Sequence, residues 1–272
     1  MIGMPATGAT ARMTHGLGQG HWFTTAREAR PNDSALYCLA HAGGNAEDYL
    51  RWQSGLSDEL LMKAVTLPGT GRRYGEAYPT DINLLTEDIA TAIEREGDKT
   101  FYLFGHSMGA ILAWEVAKKL RIPPAGLLLS ASLSPTEIPS PRIIRMAEMD
   151  NEAFIQEMAY FNGIDESLML NPFLNDIVAE KLKRDFQLIA RYRYQYSAPV
   201  SAPVMVIVGE QDAHVSVGSL MKWQSHTQCF LGARQVPGNH FYFNDHPEIM
   251  INAIGEMVRE SRKKIDDNSI FI

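Results

Sequence analysis

A chain of 272 residues with 45% apolar and 21% charged side chains has room for one α/β domain or two small ones and is too apolar for a disordered or coiled-coil protein. Its formal charge of −7 argues against a nucleic-acid partner, because neutralising phosphates takes a basic surface. It holds no run of about 18 apolar residues, so no membrane span is expected.

Residues 1–20, MIGMPATGATARMTHGLGQG, lack the apolar stretch of a secretory signal and read as a flexible leader. Strands are expected at ALYCLAH (35–41) and at LMKAVTLPG (61–69), the second ending in a Pro-Gly turn. A helix fits 82–95, with Ile82, Leu85, Ile89, Ala92 and Ile93 on one stripe and Asp81 as its cap. TFYLFGH (100–106) is a third strand, Met108 to Leu120 a helix stopped by Ile122-Pro123-Pro124, and AGLLLSA (125–131) a fourth strand apolar enough for burial on both faces.

Residues 133–198 break this alternation. They hold a Pro/Ser-rich stretch, SLSPTEIPSP, then short helical signals, among them a stripe of Ile177/Val178, Leu182, Phe186 and Ile189. The sheet pattern resumes in PVMVIVG (203–209) and TQCFLGAR (227–234), and a last helix starts near Pro247, where Asp245 and Glu248 have capping-box spacing. Strands alternating with helices imply a mostly parallel sheet flanked by helices. The expected organisation is an α/β core over 21–132 and 199–264, a helical insertion over 133–198, and a tail over 265–272. Because ligands bind at the carboxyl ends of parallel strands, an insertion leaving from there is expected to be a lid rather than only a second packing layer. Cys38 and Cys229, in apolar strand contexts, read as buried thiols of a reducing compartment. A cytoplasmic protein is therefore expected.

The chemistry centres on Gly105-His106-Ser107-Met108-Gly109, which satisfies G-x-S-x-G between a strand and a helix. That context favours a strained turn presenting Ser107 as a nucleophile over a plain surface turn. A serine hydroxyl needs a base. Of His214, His226, His240 and His246, His240 in PGNHFYF lies in the loop after the last strand and is the expected base. Asp212 in VGEQDAH is the expected acid, with Glu210 as its competitor; the acid would hold the base's tautomer. Two backbone N–H donors must meet the developing oxyanion. Met108, at the start of the following helix, supplies one, and Ala42 in HAGG (41–44) is the choice for the other. His41 and His106 read as packing residues. No His, Cys, Asp or Glu cluster has metal-ligand spacing, so neither metal nor cofactor is expected.

HAGG (41–44), LPGTGRR (67–73), GHSMGA (105–110), GEQD (209–212) and GNHFY (238–242) together resemble the type II thioesterases, editing hydrolases of the α/β-hydrolase superfamily that accompany polyketide synthases and nonribosomal peptide synthetases. The resemblance covers residues 21 to 262, with Thr70 and the leader as departures. It implies a Ser107, Asp212 and His240 triad, oxyanion donors at Ala42 and Met108, and a lid over 133–198. It also implies a substrate: an acyl group held as a thioester on the phosphopantetheine arm of an acyl or peptidyl carrier domain. Carrier domains are acidic, so Arg72 and Arg73 are candidate contacts to the carrier or its phosphate, against a purely structural use of either. Arg184, Arg191 and Arg193, interleaved with Tyr192, Tyr194 and Tyr196, form a second candidate strip, explained as well by lid packing. Met146, Met149, Met158 and Met169 suit either an adaptable acyl pocket or ordinary core filling. A monomer is expected. The rival readings are an esterase or lipase of the same fold, an acyltransferase, and a binding protein that kept the fold.

Overall fold

The computed structural model describes residues 22–160 and 172–269. Its strands are β1 (Phe23–Thr25), β2 (Ser34–Leu39), β3 (Leu60–Val65), β4 (Phe101–His106), β5 (Gly126–Ser130), β6 (Val200–Gly209) and β7 (Thr227–Val236). They form one sheet in the order β1-β3-β2-β4-β5-β6-β7. Only β1 is antiparallel to its neighbour, β3; the other pairs are parallel. The chain first steps outward from β2 to β3, then crosses back to lay β4 on the other side of β2. Loops leaving the carboxyl ends of β2 and β4 therefore diverge and open a crevice between them. Both HAGG and the serine turn leave from that point.

Residues of β2 to β5 are buried throughout, as unbroken apolar runs require when both faces are covered. On one face pack α1 (Ile82–Glu96) and α2 (Met108–Lys119), with Leu103, Leu127 and Val206 in a shared core. Asp81 caps α1 by accepting from the N–H groups of Asn83 and Leu84, and Gly97 ends it at φ 71°. The expected stripe is buried as predicted: Ile82, Leu85, Ile89, Ala92 and Ile93. The other face is covered by a 3-10 segment over Ala46–Gly55 and by the final helix, through Trp52, Met250, Ile254 and Met257.

Between β5 and β6 come α3 (Pro141–Glu148), α4 (Asn151–Tyr160) and α5 (Pro172–Ala190), with no strand among the described residues of 133–198. These helices share a small core of Met146, Phe154, Ile155, Met158, Ala179 and Leu182. Met146 and Met158 thus serve both as filler and, as shown below, as cavity wall; Met169 lies outside the described residues. After β6 come a short α6 (Val217–Leu220) and the long α7 (Pro247–Ser269).

Several local expectations shift. β1 has no sequence counterpart among them, since three residues are too few for a period-2 signal. β3 stops at Val65, because Leu67 to Gly69 turn, with Gly69 at φ 75°. α7 starts at Pro247 as expected, but the capping box does not form: Glu248 pairs with the His246 ring at 3.0 Å. Both cysteines are free thiols, but only Cys38 is buried, and Cys229 is half-buried because β7 is an edge strand. No helix among the described residues is long and apolar enough to cross a membrane.

Candidate active site

The serine turn is built by close contact that only glycine permits. A Cβ on Gly105 would lie 2.0 Å from the carbonyl oxygen of Gly109, and one on Gly109 would lie 2.1 Å from that of Leu39. The strand can therefore fold directly into α2. Ser107 takes the strain, at φ 55° and ψ −115°, a region that non-glycine residues rarely enter. Its N–H donates to the Ser130 carbonyl at 2.8 Å, tying the turn to the end of β5. Met108 follows as the first residue of α2, where the N–H has no intrahelical partner.

Asp212 and His240 meet just past the carboxyl ends of the adjacent parallel strands β6 and β7. Gly209 allows this, because a Cβ there would lie 2.3 Å from the Asn239 carbonyl oxygen. The His240 Nδ1 lies 2.8 Å from Asp212 Oδ2, and the Asp212 side chain has no exposed surface. A carboxylate only accepts, so Nδ1 carries the proton and Nε2 is left as a base. The other carboxylate oxygen, Oδ1, accepts from the N–H groups of His214 at 2.7 Å and Val215 at 3.1 Å. Burial alone would raise the Asp212 carboxyl, but the His240 hydrogen bond and charge, with these two N–H groups, hold it below the usual range. Glu210, the competing acid, is exposed and outside this network.

The remaining histidines divide as their surroundings dictate. His106 is fully buried, its Nδ1 2.7 Å from Ser130 Oγ, which in turn lies 2.7 Å from the Tyr242 hydroxyl. Burial, then the neighbouring His240 and His41, pull its pKa well below the ordinary value, so it packs beneath the turn as a neutral ring. His41 Nδ1 lies 2.9 Å from the Tyr49 hydroxyl, and burial with the His240 charge pulls it down to about 3. His226 packs against Trp114 and Trp223. His214 is not the expected base. It nonetheless touches the site, its ring centroid 5.1 Å from that of His240, and burial draws it down to about 4.

Ser107, His240, Ala42 and Met108 all line one cavity of about 470 Å³. Much of its wall is apolar: Ala131 and Leu133 after β5, Ile143 and Met146 of α3, Met158 of α4 and Ile189 of α5. Arg142 and Arg145 of α3 also line it, and no sequence pattern pointed to them. Residues of α3, α4 and α5 thus share its lining with residues just past the ends of β2, β4 and β5.

The expected carrier contacts fare unevenly. Arg73 is buried, its guanidinium 3.8 Å over the Trp22 ring, paired with Glu76 at 2.6 Å and donating to the Thr66 carbonyl. Its guanidinium is thus held inside the fold by Trp22, Glu76 and Thr66. Arg72 stays at the surface, held by Glu47 at 3.0 Å and by the Thr24 hydroxyl. Neither lines the cavity. In the Arg/Tyr run, Tyr192 is buried with its hydroxyl on Glu115 at 2.6 Å, and Tyr194 stacks on Trp114. Those two tyrosines dock the segment on α2, whereas Arg184, Arg191 and Tyr196 are exposed. Among the described residues no group of three His, Cys, Asp or Glu side chains is placed to hold a metal ion.

A family model described as "Thioesterase domain" matches residues 34–257. The chain is 30% identical over 250 residues to thioesterase PikA5 of Streptomyces venezuelae, an alignment covering 89% of this chain and 87% of that one. The solved RedJ thioesterase from the prodiginine biosynthetic pathway of Streptomyces coelicolor has a TM-score of 0.76 at 28% identity, over 82% of this chain and 90% of its own. The type II thioesterase BorB from the borrelidin biosynthetic cluster has a TM-score of 0.79 at 26% identity, over 89% of this chain and 100% of its own. The chain belongs to the thioesterase family: it is a type II thioesterase of the α/β-hydrolase superfamily, a serine enzyme that hydrolyses acyl thioesters.

Proposed function

We propose that the substrate is an acyl group on the phosphopantetheine arm of an acyl or peptidyl carrier domain of a polyketide synthase or nonribosomal peptide synthetase. Hydrolysis would clear stalled or aberrant acyl groups and return the free thiol. Ser107 is the nucleophile, His240 its base and Asp212 the acid that orients it, while the N–H groups of Ala42 and Met108 receive the oxyanion. The segment 133–198 is the lid. The enzyme works as a monomer in the cytoplasm, a setting to which its two free thiols are suited.

The Ser107 hydroxyl gives its proton to His240 Nε2 as Oγ attacks the thioester carbonyl, and the oxyanion forms against the two N–H groups. Collapse breaks the C–S bond, and the imidazolium returns the proton to the departing thiol. Water then enters, loses a proton to His240 and attacks the acyl-serine, releasing the acid and restoring Ser107. A thiolate leaves readily, so no further acid is required.

One observation carries this reading: the buried Asp212–His240 pair, at 2.8 Å, opens onto the same apolar cavity as the strained Ser107. Support for the carrier-bound substrate comes from the likeness to a thioesterase of the prodiginine biosynthetic pathway and a type II thioesterase of the borrelidin biosynthetic cluster. The test loads a carrier protein with acetyl, propionyl and longer acyl groups and follows release by intact mass, beside a matched series of free oxygen esters. Faster release from the carrier is expected. Turnover of free esters with untouched carriers would instead favour the esterase reading.

A further inference from the structure

Asp185, on the inner side of α5, is a buried carboxyl that the chemistry above does not use. Its Oδ2 accepts a hydrogen bond from the Gly43 N–H at 2.5 Å, across 142 residues of sequence. Its Oδ1 is buried without a hydrogen-bond partner among the described residues. Leu182, one turn earlier on the same helix, presses on the same point: a Cβ on Gly43 would lie 2.2 Å from its Cδ2. Gly43 sits at φ 74°, where glycine is at ease and other residues are not. The helix and the loop thus touch at the residue immediately after Ala42.

The loop's two peptide planes are held from two directions. The plane carrying the Ala42 N–H ends at the His41 carbonyl, which accepts from the Gly44 N–H at 3.0 Å. The next plane carries the Gly43 N–H and is held by Asp185. With both planes fixed, the Ala42 N–H has a single direction. Without Asp185 the second plane is free to rotate, and the Ala42 dihedral between the two is no longer set.

From this geometry we propose that Asp185 is a positioning residue of the oxyanion site, so that α5 of the helical segment completes a site otherwise built from the core. The proposal rests on Ala42 as an oxyanion donor. A charged carboxylate beside that donor would oppose the developing oxyanion. Burial, countered only by the Gly43 N–H, pushes Asp185 up to about 7, so the neutral acid is within reach at ordinary pH. What the site needs from Asp185 is an acceptor, not a charge.

The test compares kcat and KM on a soluble acyl thioester for the wild type, Asp185→Asn, Asp185→Leu and Ser107→Ala, with thermal melts of each. Asparagine keeps an acceptor at the same place, so kcat should stay within about five-fold. Leucine fills the space without an acceptor, so kcat should fall about 100-fold, the cost of a misplaced oxyanion donor, with KM nearly unchanged. Asp185→Leu removes a buried carboxyl with one unpaired oxygen but leaves the Gly43 N–H without its acceptor, two opposed effects, so its melt should stay close to that of the wild type. A stable but slow enzyme is an outcome that a merely structural residue would not give. Asp185→Leu with wild-type kcat overturns the proposal, as does Asp185→Asn falling as far as Asp185→Leu, or a change in KM alone. If Asp185→Leu does not fold, the proposal is likewise overturned, because Asp185 is then structural. Ser107→Ala separates the two levels: full activity there removes the catalytic reading itself, whatever Asp185 does.

Discussion

Gly105 and Gly109 touch through the turn that holds Ser107: the space for a Cβ on the first is occupied, at 2.0 Å, by the carbonyl oxygen of the second. The contact allows β4 to run straight into α2, with the serine at the apex. Gly105→Ala should therefore leave no room for the elbow and cost more than about 3 kcal/mol, enough to unfold a marginal domain. Gly75→Ala, at a position with open space around its Cβ, should stay within about 0.5 kcal/mol. Urea melts of the two variants make the comparison.

Asp212→Asn should preserve the fold and remove the acceptor that fixes His240. An amide in that place can donate to Nδ1 and so favour the wrong tautomer. The expected loss in kcat is about 10⁴-fold with KM little changed. Glu210→Gln, on an exposed side chain outside the network, should leave both constants alone. Steady-state kinetics on an acyl thioester decides between them.

Stability should depend on pH from two sides. Burial holds His41 down at about 3 and His214 at about 4, against 6.5 when unfolded. The unfolded chain thus takes up protons first, and stability present above pH 6.5 is lost as pH falls toward those values. Asp185 acts in the opposite sense, being raised to about 7 from 3.8. Its contribution is full below 3.8 and is lost as pH rises through 7. Asp185→Asn is neutral throughout, so it should remove the alkaline loss and move the most stable pH upward. The gain at pH 8 should be at most about 4 kcal/mol, from a shift of about three units. Thermal melts from pH 5 to 9 read it.

Tyr192 docks the end of α5 on α2 through Glu115, which also pairs with Lys118 at 3.1 Å. Tyr192→Phe should lower stability by about 1–2 kcal/mol. Since the change is remote from Ser107, kcat should hold. A denaturation curve beside a kinetic assay checks both halves.

Elements that carry their own signal were legible in the sequence. Asp81, the stripe from Ile82 to Ile93 and the unbroken apolar run of β5 each declare a structure locally. So did the site residues, because the order of serine, acid and histidine follows strand ends, and strand ends are marked by glycine and proline. β1 was not legible, since Phe23 to Thr25 gain strand character only by pairing with β3. Arg73 was ambiguous for a related reason: whether a turn arginine faces solvent or stacks on Trp22 is settled by tertiary contact. Asp185 was invisible. In sequence it is one more charge on a helix, and its partner, Gly43, lies 142 residues away, before β3.

The most direct measurement mixes the enzyme with an acyl thioester, quenches in acid during turnover, and maps the acylated peptide by mass. An acyl group on Ser107, absent from Ser107→Ala and accompanied by loss of turnover in that variant, is the predicted result. Turnover that survives in Ser107→Ala, or an acyl group carried by another residue, would contradict the account.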